Sequence, residues 1–371
     1  MGGVDWENST FRQDKQKRCA FLDKDNLCDM YKNLGEDSLC KTCREYPRHT
    51  EEFEGVREIT LSISCPEVAR ILMERKTPVI FHSYEKPEEM ETEDYEDFDL
   101  FLYSILENAR EEMLKILQNR EMRLQERTIL VLGMAHDMQG RINRQEMFAC
   151  DEVVCKYTGE KAYKYVETYL QQHSRNSDWR VFPKEASLAL ELFQKLYELE
   201  LLREEWDVLL RETQEALFYP TKVFVQRKAE IPKRIWNIGK SRKSGNTTTL
   251  NQKTSQLLVS KEHFLQYRQA FEEWKTEHPE IEIHLEQLLV YFLFTYFVGA
   301  VYDGQVFAKA QMAVYCTWMI ELLWMGRWLR NGKKLEQEEM IELVYRFSRE
   351  VEHSDDNLEH IEKIMGKKWL L

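Results

Sequence analysis

The sequence predicts a mainly α-helical protein in which a cysteine-rich N-terminal module with little strand precedes a large all-α body. Three observations carry this. Five of the eight cysteines fall between Cys19 and Cys65. From Phe98 onward, apolar residues recur every three or four positions, the period of a helix with one buried face. Runs that alternate as strands do are few, the clearest being Arg57 to Ser64 and Val79 to Phe81.

Taken in order, the module spans residues 1–86 and ends among Pro78 and Pro87. Residues 87–99 form an acidic linker, and 100–371 form the helical body. In the first body helix, Leu102, Ile105, Ala109, Met113 and Ile116 share one face. Further helices are expected at 126–143, 160–172, 184–197, 202–218, 261–275, 282–301, 306–328, 336–350 and 356–366. Ser354 suits the N-cap of the last, since its hydroxyl can accept a free N–H of the first turn. Between these helices, residues 222–255 read as an exposed basic loop: Lys222, Arg227, Lys228, Lys233, Arg234, Lys240, Arg242 and Lys243 face one acid, Glu230, before a Ser/Thr/Asn run. Both a solvated linker and a docking site for an acidic partner or nucleic acid are consistent with it.

Composition narrows the function. An apolar content of 43%, with 18 Phe, 17 Tyr and 9 Trp, can fill a core without disulfide stapling. A net charge of −13 argues against nucleic acid as partner, because phosphate binding rewards Lys and Arg. The charged start Val4-Asp5-Trp6-Glu7 lacks the apolar stretch of a secretory signal, so a cytoplasmic protein is expected. The longest apolar run, Leu288 to Val301, is shorter than the ~20 residues that span a bilayer and reads as a buried helix, so no membrane partner is expected.

Cys19, Cys28, Cys40, Cys43 and Cys65 are the candidate metal ligands. Cys40-Lys41-Thr42-Cys43 is a CxxC, a spacing at which two thiolates of one turn reach the same ion, and the others can complete a tetrahedral set. Cys65 precedes Pro66 and a helical pattern, which puts its sulfur at a helix N-terminus, where a thiolate is favoured. Disulfides suit secreted domains and a redox CxxC suits a βαβ setting; neither context is present. Iron–sulfur, zinc (with His49 able to replace one sulfur) and inert buried thiols all remain open on spacing alone.

The strings Cys19-Ala20-Phe21-Leu22, Leu27-Cys28-Asp29-Met30-Tyr31, Leu34-Gly35-Glu36, Leu39-Cys40 with Cys43, Tyr46-Pro47-Arg48 and Ser64-Cys65-Pro66-Glu67 with Ala69-Arg70 resemble the flagellin lysine-N-methylase family across residues 19–72. The same pieces are similar to a broader group of zinc- or iron-chelating CxxxCxxCC proteins. In the body, Tyr302-Asp303-Gly304 and Glu352-His353-Ser354 with Asn357-Leu358 resemble family landmarks. The resemblance implies methyl transfer from S-adenosylmethionine to lysine side chains of flagellin, with a 4Fe–4S cluster held by the module's cysteines. The alternative is a non-enzymatic zinc- or iron-binding interaction module. Family members begin with a further segment bearing a Cys and a Cys-Cys pair. The present chain starts downstream of it, which the resemblance reads as a shortened N-terminus.

Lysine must lose a proton before it attacks, and Tyr46 and His49, just past the CxxC, are candidates for that acid–base work or for supporting the metal shell. The glycine-rich loop of dinucleotide-type methyltransferases is absent from the sequence. Leu132-Gly133-Met134-Ala135-His136-Asp137 comes nearest, in a helical context that makes His136 an ordinary core or surface histidine.

Overall fold

The computed structural model describes residues 3–7, 10–15, 18–85, 98–174, 185–218 and 261–367. The basic loop at 222–255 and nearly all of the acidic linker lie outside the described residues. The chain forms two compact units, Met1–Ser62 and Ile63–Leu371.

The first unit pairs β1 (Val4–Asp5) with β2 (Thr10–Phe11), then places two short helices, α1 (Asp29–Leu34) and α2 (Lys41–Glu45), before a hairpin. The hairpin joins β3 (Arg48–Phe53) and β4 (Val56–Leu61) with Arg48 opposite Leu61 and Phe53 opposite Val56. Gly55 turns it at φ 74°, a left-handed conformation that glycine adopts without steric penalty. β4 matches the alternation read from Arg57, whereas β3 was hidden by its charged residues, Arg48, Glu51 and Glu52.

The second unit opens with α3 (Pro66–Glu74), whose Ala69 and Met73 are buried along with Ile63 and Ser64. This burial is why the division falls at Ser62 rather than near residue 86, and it assigns Cys65 to the helical unit. Val79–Phe81, expected as a strand, is not one. The Gln118 side chain satisfies both backbone groups of Val79, at 2.5 Å to its N–H and 3.3 Å to its carbonyl, where a neighbouring strand would otherwise be needed.

Thereafter the body is helical: α4 (Leu100–Leu117), α5 (Leu124–Asn143), α6 (Cys150–Thr158), α7 (Glu160–Ser174), α8 (Glu185–Lys195), α9 (Glu204–Phe218), α10 (Lys261–Glu277), α11 (Glu280–Tyr296), α12 (Val306–Arg330), α13 (Gln337–Val351) and α14 (Asp355–Met365). The periodicity located all of these except α6, whose run Cys150–Thr158 is too short to show a clear face. Helix α12 is central, packing on α5, α9, α11, α13 and α14, and it buries Tyr315, Trp324 and Trp328. Helix α11 with its 3-10 extension, Glu280–Val301, is the one described helix long and apolar enough to cross a membrane, yet 78% of its most apolar 18-residue window is buried within the protein.

Two ionic clusters sit inside this apolar body. Arg127 and Glu286, 2% and 1% exposed, pair at 2.6 Å, and Arg120 adds a second cation on Glu286 at 2.7 Å. Glu321 on α12 meets Lys275 at 2.6 Å and Arg268 at 3.1 Å. Burial alone would raise the Glu321 carboxyl, but the two cations hold it down to about 2.

Candidate functional site

In the first unit, backbone geometry brings four of the candidate thiols into one electrostatic group. Cys28 caps the N-terminus of α1, and Cys40 does the same for α2, which carries Cys43 one turn later. Cys19 and Cys28 are drawn in by isolated bridges to Gln13 and Leu22. The backbone N–H of Cys43, and then its side chain, pull the Cys40 thiol below its ordinary range. Cys43 shows the reverse: burial first, then Cys40, Cys19 and Cys28, push its thiol up to about 11. The Cys40 thiol is therefore drawn toward the thiolate, whereas burial first and the neighbouring thiols second oppose ionisation of Cys43.

All eight cysteines are free, so no disulfide holds the unit. Phe53 is its one buried side chain among the described residues. A unit this small with so little core ordinarily needs a staple, and four clustered sulfurs are the donor set of a thiophilic ion or iron–sulfur cluster. The donors fit such a group in kind. Their spacing is electrostatic rather than ligating, since among the described residues no three His, Cys, Asp or Glu side chains are gathered to hold a metal ion.

Tyr46 follows α2 and is 41% exposed. His49 lies on β3, with Nε2 2.9 Å from the Glu51 carboxylate.

In the second unit, Cys65 caps α3 with Pro66 at its first turn, as the sequence indicates. The residue before it anchors a polar cluster. Arg349 donates from Nε to the Ser64 carbonyl at 2.8 Å, and His353 Nε2 lies 2.9 Å from Ser64 Oγ. Tyr291 donates its hydroxyl to Glu352 at 2.6 Å and accepts the Ile63 N–H at 3.4 Å. Burial, then the positive charges of Arg349 and Arg203, keep the His353 imidazole below its ordinary pKa. Burial, then Glu352, drive the Tyr296 hydroxyl well above its own.

The landmark string thus divides by role. His353 reaches Ser64 directly and Glu352 connects to Ile63 through Tyr291, while Ser354 and Asn357 hold Glu200. Asn357 exchanges hydrogen bonds with the Glu200 backbone at 2.7 and 3.0 Å. Tyr291, Tyr296 and Arg349 have no motif to announce them; only their helical spacing relative to the landmarks could have suggested them. A separate surface cleft of about 400 Å3 on α5 and α6 includes His136, Asp137, Arg141 and Lys156. His136 is half-exposed beside Asp137 and edge-on to Phe307, an ordinary surface setting.

The architecture defines a class: a helical body with a buried polar cluster behind a helix-capping cysteine, preceded by a thiol-rich unit. Residues 110–370 match the FliB lysine N-methylase C-terminal domain, so the chain belongs to that family. A 55-residue stretch is 42% identical to the flagellar biosynthetic protein FliU of Salmonella muenchen, covering 15% of this chain and 32% of that protein. The same length and identity relate it to the lysine-N-methylases of Salmonella typhimurium and Salmonella choleraesuis, covering 15% of this chain and 14% of each. The chain therefore aligns with a minor part of these relatives. No solved structure matches.

Proposed function

We propose that this chain takes part in N-methylation of lysine side chains on a flagellar protein, flagellin, with S-adenosylmethionine as methyl donor and a cysteine-held iron–sulfur cluster. The family match over residues 110–370 carries the reading, and the relatives named as lysine-N-methylases support its chemistry. S-adenosylmethionine supplies an electrophilic methyl group, and a cluster supplies a redox or Lewis-acid centre.

Cys19, Cys28, Cys40 and Cys43 would hold that cluster, with Cys40 the readiest ligand because its thiol is already drawn toward thiolate. Cys65 is presented at the start of α3, on a segment tied down by Arg349 and His353. The protein's remaining task is to present lysine as a neutral amine, which a desolvated site favours.

The test is anaerobic purification with iron and sulfide analysis, followed by incubation with methyl-labelled S-adenosylmethionine and flagellin. Iron with matching sulfide and label on lysine are expected. Zinc without iron would replace the cluster with a structural ion, and absence of label from cluster-loaded protein would remove the transferase reading.

A further inference from the structure

The start of α4 carries a row of aromatic rings that the proposed methyl transfer does not use. Phe98 lies against Tyr302, in the turn before α12, with ring centroids 6.1 Å apart. Phe101, three residues on, lies against Phe148 at 4.7 Å. Phe148 belongs to the 3-10 turn Met147–Ala149 that leads into α6. The row is anchored from below, where Leu102 and Tyr103 are buried and Phe98 also meets the Tyr103 ring at 5.6 Å. Among the described residues its outer surface is uncovered: Phe148 is 84% exposed and Tyr302 55%, with Leu100 and Phe101 exposed between them.

Single exposed apolar residues are ordinary, but several that adjoin in one place mark a surface that a partner covers. Aromatic rings carry much of the energy of such contacts, because each buries a large area. The charges around the row indicate the partner. Asp99 caps α4, the exposed Glu107 stands two turns further along that helix, Asp151 lies in the first turn of α6, and Asp303 follows Tyr302. Cations close by in the chain are already paired: Arg141 and Arg144 both meet Glu146, at 2.8 and 3.1 Å, and Lys309 meets Asp303 at 3.1 Å and Glu362 at 2.7 Å. In the sequence, residues 85–99 hold nine acids and one lysine. Rings edged by carboxylates match a segment that brings lysines with apolar neighbours, since methylene stems lie along rings while ammonium groups meet carboxylates or ring faces. A second copy of this chain, at −13, is a poor electrostatic match.

We propose that this row docks a lysine-bearing, apolar segment of the flagellar protein substrate. The proposal rests on the lysine-methylation reading for the identity of the partner. The preference for a cationic, apolar segment comes from the row itself.

The experiment measures binding of flagellin to the whole protein by isothermal titration calorimetry, without S-adenosylmethionine, at low and high salt. Phe148→Ser and Tyr302→Ser remove exposed rings, so each should leave the melting temperature unchanged and raise Kd about tenfold. Glu107→Lys should weaken binding at low salt and have little effect at high salt. Flagellin with acetylated lysines should bind the parent protein more weakly. Flagellin that does not bind, or a Kd unmoved in both serine variants, overturns the proposal. Self-association of the parent that the serine variants lose, with flagellin binding unchanged, overturns it in favour of a second copy. Tighter flagellin binding after residues 86–97 are replaced by a Gly/Ser run overturns it in favour of the chain's own acidic segment.

The methylation assay is read separately, with KM for flagellin expected to rise and kcat to hold in the serine variants. Label on lysine at an unchanged KM removes the docking row and leaves the transferase standing. Ring-dependent binding without label removes the transferase and leaves the docking row.

Discussion

The two units of this chain hold their shape by different means. Residues 1–62 bury one described side chain, Phe53, and gather four thiols around α1 and α2. Residues 63–371 bury Trp324, Trp328, Tyr315 and Phe347 almost completely and set ion pairs among them. The contrast teaches that the first unit carries its thiols with almost no core around them, Cys40 and Cys43 being exposed and Cys19 and Cys28 half-buried. Apolar burial supplies stability roughly in proportion to area, and the first unit has little area to offer.

The sharpest way to break this comparison is Cys43→Ser. If the proposed cluster holds the unit, metal binding contributes on the order of 10–16 kcal/mol there, and losing one proposed ligand should abolish ordered structure in the first unit. Hydrogen exchange should show residues 18–62 losing protection, while the urea transition of the helical unit stays within ~0.5 kcal/mol of the parent, as expected for independent sites. Undiminished protection after Cys43→Ser would mean the unit stands without its thiols.

The second-largest effect belongs to the helical unit. Glu286→Leu strands Arg127 in the interior and should lower that unit's unfolding free energy by about 3–5 kcal/mol in urea titrations. The double change Arg127→Met with Glu286→Leu should recover most of the loss, because no unpaired charge is then buried. A double variant as weak as the single one would show that the pair, rather than apolar packing, dominates there.

These contrasts bear on what the residues disclosed unaided. Helix positions were legible wherever the apolar period ran long, as in α4 and α12, and the N-cap at Ser354 followed from side-chain chemistry alone. Strand β3 was not legible, because a two-stranded surface hairpin has no buried face to impose alternation beyond Phe53. The cysteine spacing marked the thiols but could not say that Cys65 folds with the helices. That depends on the burial of Ile63, Ala69 and Met73, a long-range event. The polar cluster on Ser64 was equally hidden, since Tyr291 and Arg349 come from distant helices and only fold-level packing unites them.

Acid should also separate the units. The Glu321 carboxyl titrates at about 2 in the folded protein, below the ordinary unfolded range. Its stabilisation is therefore complete above the unfolded pKa and disappears as pH falls from about 5 toward 2, amounting to about 3 kcal/mol. Urea transitions of the helical unit at pH 7, 5 and 3 should trace this fall, and Glu321→Gln should flatten it. A parent and variant with the same acid slope would place the sensitivity elsewhere.

The smallest effect tests whether the landmark Ser354 serves as a helix cap or as a clasp. Its hydroxyl oxygen accepts the Asn357 N–H at 3.3 Å, and its hydrogen is donated to the Glu200 carboxylate at 3.2 Å. Ser354→Ala removes both and should cost about 1 kcal/mol, the usual worth of a cap. Ser354→Asp separates them. A carboxylate caps a helix as well as a hydroxyl does, but it cannot donate to Glu200 and repels it. If capping alone matters, Asp should match Ser in urea titrations. If the clasp matters, Asp should be at least as destabilising as Ala, with the loss relieved by Glu200→Gln, whose amide can donate back to the new carboxylate.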